Sequence, residues 1–198
     1  MTKRQKIYLP IKRLIGIFGS LIGIVFCFAL LWWWVIPVNA IVTKGHPFFA
    51  SERIGKNGKS FKCLKFRSMK LSADPNLTSH DEIDTSNITG FGKFLRVTSI
   101  DETLQLFNIF AGQMAFIGPR PLINYNGDSI TINLRKENGS IVLRPGLSGL
   151  AQIHKRANLK PEEKANYDEY YFKHFSFWMD FRLFIQTIFR IFGEEKGK

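Results

Sequence analysis

Residues 14–43 read LIGIFGSLIGIVFCFALLWWWVIPVNAIVT, thirty residues without a charged side chain. At ~1.5 Å per residue, a helix of that length reaches about 45 Å, well beyond a hydrocarbon core of about 30 Å. A single upright span does not use it up. The apolar stretch is also longer than the roughly 7–15 residues of a signal-peptide core, although Val38-Asn39-Ala40 resembles a cleavage site. Both flanks are basic: Lys3, Arg4, Lys6, Lys12 and Arg13 precede the run, and Lys44, Arg53, Lys56 and Lys59 follow it. The preference of cationic flanks for the cytoplasmic face is met at both ends only if the segment enters and returns. A re-entrant anchor over residues 1–45 is therefore expected, with Trp32-Trp33-Trp34 at the interface and Pro37 breaking the helix. One tilted span is the alternative.

The 198 residues carry a net charge of +12. Residues 1–70 hold 13 Lys/Arg against one acid, Glu52, whereas residues 71–198 hold 15 of each sign. The whole excess thus brackets the membrane segment, and the neutral remainder offers no nucleic-acid footprint. Cys27 lies inside the apolar run and Cys63 is alone outside it, which excludes a disulfide framework and a CxxC metal site. The four histidines form neither HExxH nor an i, i+4 pair, so no zinc is expected.

Downstream, Phe48–Ile54 and Ser60–Phe66 flank a segment containing Asn57-Gly58, a strong hairpin signal. The string GKNGKS is not a P-loop, because position 53 is arginine where that motif needs glycine. Residues Ser72–Thr89 read as a polar loop. From Ser99 a helical period begins, with Ile100, Leu104 and Phe107 on one side and Asp101, Gln105 and Asn108 on the other. Met114–Ile117 reads as a short buried strand, Arg144-Pro145-Gly146 as a turn, and Pro161 with Glu162 and Glu163 as a helix start. Phe177, Phe181, Phe184, Ile185, Ile188 and Phe192 form one stripe opposite Asp180, Gln186 and Arg190. Such a helix fits a core or a bilayer interface equally.

Asp101 and Glu102 are the adjacent carboxylates on which chemistry could rest. Ser99-Ile100-Asp101-Glu102 also matches a capping box, in which Glu102 reaches back to Ser99 and Asp101 meets the positive helix end. Arg96, Arg120, Arg144 and Arg156 lie near turns, and arginine is the side chain best shaped to grip phosphate. A carboxylate pair facing arginines could hold Mg²⁺ and a diphosphate together.

The runs KFRSM (65–69), SIDETLQLFNIFAGQMAFIGPRPL (99–122, with Arg96 before it), LRPGLSGLAQI (143–153) and YDEYY (167–171) closely resemble the bacterial sugar transferase family, the monotopic phosphoglycosyl transferases. The resemblance covers nearly the whole chain, in the short form with an anchor and a catalytic domain. It implies an α+β protein: a membrane-inserted, re-entrant helix (1–45) and a small cytoplasmic α/β catalytic domain (46–198) with interfacial amphipathic helices, at the bacterial inner membrane. It implies that Asp101 attacks a UDP-sugar, expels UMP and becomes a phosphosugar-aspartate, from which polyprenyl phosphate takes the sugar phosphate. It assigns Mg²⁺ as cofactor with Glu102 as ligand. Arg96 and Arg120 would steady phosphates, Lys65 or Arg67 would assist, and Arg144, Gln152, Arg156 and Asp168 would complete the donor side. The chain departs from the pattern at Gly16, where an aspartate is common, in lacking a proline midway along the apolar helix, at Gln113, and at His154-Lys155. Two other readings remain open: a non-catalytic membrane-anchored basic binding module, and a glycosyltransferase that releases UDP.

Overall fold

The computed structural model describes residues 1–70, 87–123, 127–154 and 159–193. The apolar run belongs to one unbroken helical stretch from Lys3 to Thr43: α1 (Lys3–Cys27), a π turn (Phe28–Trp32) and α2 (Trp33–Thr43). At 41 residues it measures about 62 Å at ~1.5 Å per residue. Contrary to the expectation from sequence, it does not break at Pro37; it ends at Lys44, whose φ of 51° is left-handed. Its start is a capping box, in which Thr2 Oγ1 accepts from the Gln5 amide and Gln5 Oε1 accepts from the Thr2 amide.

The π turn keeps one face of this helix in phase. Gln5, Tyr8, Gly16, Ser20 and Cys27 are buried along α1, and Trp32, Val35, Asn39 and Thr43 along the rest. The step of five from Cys27 to Trp32 would rotate a regular helix out of register, and the extra residue of a π turn absorbs it. The buried face meets protein throughout. Gln5 Nε2 donates to the carbonyls of Phe172 and Lys173, and Asn39 Nδ2 to those of Pro47 and Arg67. Between these ends, a Cβ at Gly19 would sit 2.8 Å from the Phe116 ring and one at Gly23 3.0 Å from Leu106. The glycines thus serve close packing, since a Cβ at either position would crowd these side chains.

After the helix, β1 (Phe48–Ile54) and β2 (Ser60–Phe66) form the expected antiparallel hairpin, registered from Phe48 opposite Phe66 to Ile54 opposite Ser60. Asn57 and Gly58 both take positive φ, 58° and 75°, as a tight hairpin turn requires. The loop expected over Ser72–Thr89 lies outside the described residues except at its end, where Ile88 bridges Met69. Next come α3 (Gly90–Val97), a 3₁₀ turn (Ile100–Glu102), α4 (Gln105–Phe110), β3 (Ala115–Ile117) and α5 (Gly127–Glu137). The chain continues with β4 (Gly146–Ser148), α6 (Leu150–His154), α7 (Pro161–His174) and α8 (Phe177–Gly193). Strands β3 and β4 pair in parallel, so the segment read as a turn at Arg144-Pro145-Gly146 leads directly into a strand. The fold is α+β, with helices around two small sheets.

Two apolar clusters form the core, and the long helix contributes to both. Cys27, Trp32 and Val35 pack with Phe66, Leu95 and Ile109, whereas Tyr8 packs with Ile117, Tyr171, Phe175 and Leu183.

Helices α4 and α8 bury polar side chains beside apolar ones and expose aromatic rings. In α4, Gln105 and Asn108 are buried beside Leu106 and Ile109 while Phe107 and Phe110 are exposed; of the side traced by Ile100, Leu104 and Phe107, Leu104 is buried, Ile100 half-buried and Phe107 exposed. Asn108 is satisfied there: it donates to Lys62 O and Gln113 Oε1 and accepts from the Leu64 amide, which ties β2 to α4. In α8, Phe177, Trp178, Phe181, Phe184, Ile188 and Phe189 are exposed, whereas Asp180 is buried. Asp180 accepts from the hydroxyls of Tyr8 (2.8 Å) and Tyr171 (2.5 Å) and pairs with Lys12 Nζ at 2.7 Å. Together with Ile22, Phe26 and Phe28 on the long helix, these rings present an apolar surface suited to a bilayer.

Candidate active site

The carboxylate pair sits in the 3₁₀ turn between α3 and α4, opposite β2. Ser99 takes a left-handed conformation (φ 58°) and caps nothing with its side chain, so the expected capping box is absent. Glu102 turns instead toward the hairpin, where its Oε1 lies 2.7 Å from Lys65 Nζ. Trp32 Nε1 holds the adjoining residue through Thr103 Oγ1 at 3.0 Å, so the long helix itself fixes the turn.

The two carboxylates are tuned in opposite directions. Burial raises Asp101 from 3.8 to about 6; Glu102 adds to the rise, while Lys65 and Arg96 oppose it. Burial would raise Glu102 too, but Lys65, Arg120 and Arg53 outweigh it and hold the group below the usual glutamate value. Glu102 is thus a firm anion beside an aspartate that titrates near neutrality, a separation typical of groups given different chemical tasks.

A small polar cleft opens at Glu102, lined also by Arg53, Lys65, Gln105, Arg120 and Gln152. The Gln152 Oε1 is buried and finds no hydrogen-bond partner among the described residues. Arg120 is carried on the loop after β3, which the backbone fixes through Gly118 N to Ser148 O and Gly146 N to Pro119 O. Arg96 lies on the Asp101 side, its Nε donating to Ser68 Oγ at 2.8 Å. The structure therefore brings Lys65, Arg96, Asp101, Glu102, Arg120 and Gln152 together.

Three other candidates are engaged elsewhere. Arg67 Nε donates to His46 O, and its guanidinium covers the Phe49 ring, so it braces the start of β1. Arg144 Nε donates to Gly112 O; burial and the neighbouring Arg13 lower its pKa, placing it beside the long helix. Asp168 is buried in an ion pair with Arg135, at 2.5 Å to Nη2 and 2.8 Å to Nε. Burial nonetheless pushes its carboxyl above the ordinary value against the pull of Arg135. Arg135 Nη1 in turn donates to Arg120 O at 3.0 Å, so Asp168 bears on the cleft through that contact. Arg156 lies outside the described residues.

Sequence reasoning missed Arg53 and Arg135. The signal for Arg53 was its strand phase: Ser51 and Arg53 are the inward-facing positions of β1, and polar groups facing inward mark a site. Among the described residues no three His, Cys, Asp or Glu side chains cluster to form a cage for a metal ion. Glu102, ionised and with a third of its side chain exposed, fits a hard cation whose other ligands come from a diphosphate.

Residues 7–194 match the family model described as bacterial sugar transferase. The chain belongs to the bacterial sugar transferase family. Among its relatives in that family, the undecaprenyl-phosphate galactose phosphotransferase of Salmonella typhimurium is 29% identical over 205 residues, covering 94% of this chain and 41% of that protein. The UDP-glucose:undecaprenyl-phosphate glucose-1-phosphate transferase of Xanthomonas campestris pv. campestris is 32% identical over 157 residues, 76% of this chain and 32% of that one. The exopolysaccharide production protein ExoY of Sinorhizobium fredii is 33% identical over 159 residues, 73% of this chain and 69% of that one. The chain spans about two fifths or less of the length of the first two relatives.

Proposed function

We propose that this bacterial sugar transferase moves a sugar-1-phosphate from a UDP-sugar to polyprenyl phosphate, releasing UMP, as the opening step of glycoconjugate assembly. The observation that carries the reading is the buried Asp101, beside the Lys65–Glu102 pair and an arginine-lined cleft. The names of the Salmonella and Xanthomonas relatives support the donor and acceptor classes.

In the first step an Asp101 carboxylate oxygen attacks the sugar-bearing phosphorus. The bond from that phosphorus to the bridging oxygen breaks, and UMP departs with the electron pair. In the second step a phosphate oxygen of the lipid attacks the same phosphorus, and the acyl-phosphate bond breaks to restore the carboxylate. Splitting the transfer frees the soluble donor and the lipid acceptor from occupying the site together. With a pKa of about 6, Asp101 is mostly ionised at pH 7 yet more basic than an ordinary aspartate. Lys65, Arg96 and Arg120 offset the repulsion between carboxylate and diphosphate. Mg²⁺ bound by Glu102 and the diphosphate would supply further charge neutralisation there.

Residues 1–45 serve as anchor and 46–198 as the catalytic part facing the cytoplasm. The long helix lies against the rest of the protein from Gln5 to Asn39, which supports insertion into one leaflet with both ends on the catalytic side. Incubating detergent-purified protein with Mg²⁺, a panel of UDP-sugars and undecaprenyl phosphate tests the reading. UMP is expected, with loss of turnover in EDTA; UDP as the nucleotide product, or no turnover with any donor, overturns it.

A further inference from the structure

Beside the carboxylates, on the side of the long helix, lies a groove of about 480 Å³. Its walls are apolar throughout: Ile24, Phe28, Ala29 and Trp32 from the helix face Leu104 and Phe107. We infer that this groove seats the isoprene units nearest the phosphate of the lipid acceptor; the inference rests on the acceptor class proposed above.

Three observations converge on that occupant. A groove without a polar wall selects hydrocarbon, since any polar ligand atom inside it would forfeit its hydrogen bonds. Position then selects which hydrocarbon. Leu104 follows Asp101 by three residues, and Trp32, which lines the groove, also donates to Thr103, the residue between Glu102 and Leu104. A chain lying here therefore runs alongside the turn that carries the nucleophile. Finally, the groove opens along the π turn. Phe28 and Ala29 belong to it, and Val25 and Phe26, just before it, are more than half exposed on the face that would meet lipid. From Ile24 to Ile36 the lined stretch of helix measures about 18 Å at ~1.5 Å per residue, room for an extended lipid segment. A bulk phospholipid acyl chain shares the hydrocarbon chemistry but has no reason to be held against the catalytic turn.

The test uses full-length protein in nanodiscs, without donor. Two photoreactive probes are compared: a polyprenyl phosphate bearing a diazirine near its phosphate, and a phosphatidylglycerol bearing the same group on an acyl chain. The polyprenyl probe is expected to label peptides containing residues 24–36 or 104–107, with at least tenfold loss of labelling under excess unlabelled polyprenyl phosphate and none under excess phosphatidylglycerol. Labelling confined to other peptides, or equal labelling by the phospholipid probe, overturns the assignment. Kinetically, Ala29→Trp fills the groove and should raise the acceptor KM at least tenfold, whereas Ile22→Trp, on the open face, should leave turnover unchanged. An unchanged acceptor KM in folded Ala29→Trp also overturns it. UMP release by the wild type, measured in parallel, reports separately on the proposed reaction, since labelling needs no turnover.

Discussion

Lys65 Nζ stands 2.7 Å from Glu102 Oε1, a contact made by a strand residue across to a turn that follows it by more than thirty positions. It joins the hairpin to the Asp101-Glu102 turn and places one cation within the field of both carboxylates, lowering Glu102 and restraining Asp101. Removing it should change how the site titrates as well as how fast it works.

UMP release should fall on the acid side as Asp101 protonates, with a limb near pH 6 in kcat/KM for the donor. In Lys65→Met the opposing charge is gone, and the limb should move upward by about one unit. A pH–rate profile of the two proteins checks this; a limb that stays in place would show that Lys65 does not act on Asp101.

Asp101→Asn should abolish UMP release and the covalent adduct, detectable by intact-protein mass spectrometry. It should also stabilise the fold. Because its native pKa of about 6 lies above the ordinary 3.8, Asp101 contributes stability that is complete below about pH 4 and is lost as pH rises through 6. At pH 7.5 the variant should be more stable than wild type by about 1–3 kcal/mol, and the two should converge near pH 4. Thermal melts across that range decide it. The capping-box reading requires the opposite sign at neutral pH.

Asp168→Ala leaves Arg135 buried without its partner and should cost about 3–5 kcal/mol. Replacing both, Arg135→Met with Asp168→Leu, should recover most of that loss in denaturant melts. Because Arg135 also holds the Arg120 carbonyl, the stable double variant should still show a raised donor KM. If its KM is normal, Asp168 and Arg135 serve stability alone.

Single cysteines at positions 3 and 44, in a variant lacking Cys27 and Cys63, should both resist an impermeant maleimide in intact cells and react after permeabilisation. Labelling of either from outside would establish a crossing.

The hairpin is legible to the residue, because Asn57-Gly58 supplies a local turn chemistry that no distant contact overrides. The Asp101-Glu102 pair is legible as a motif, and so are Arg96 and Arg120 beside it, whereas Arg53 is not. The orientation of α4 and α8 is not. Placing apolar residues inside assumes water outside, and Phe107, Trp178 and Phe189 are exposed where the surroundings proposed here are lipid. The same inversion hides the role of Asp180, which sits on the polar side of its helix and is satisfied by Tyr8, Tyr171 and Lys12. Helix α3 escapes a sequence reading because three of its eight residues compete poorly for helix: Gly90, Gly92 and the β-branched Val97, offset by a Thr89 cap. Asp168 is recognisable as a motif residue, yet its partner Arg135 lies on another helix and no spacing announces the pair.

The long helix supplies Trp32 and Val35 to one core and Tyr8 to the other. The long helix and the rest of the protein should for that reason unfold in a single cooperative transition. A truncated chain begun at residue 46 to obtain a water-soluble enzyme would lose walls from both interiors and the tether on Thr103, and would aggregate instead of yielding a smaller catalyst. Detergents that strip the helix of its lipid collar should inactivate the protein with the same midpoint at which tertiary structure melts.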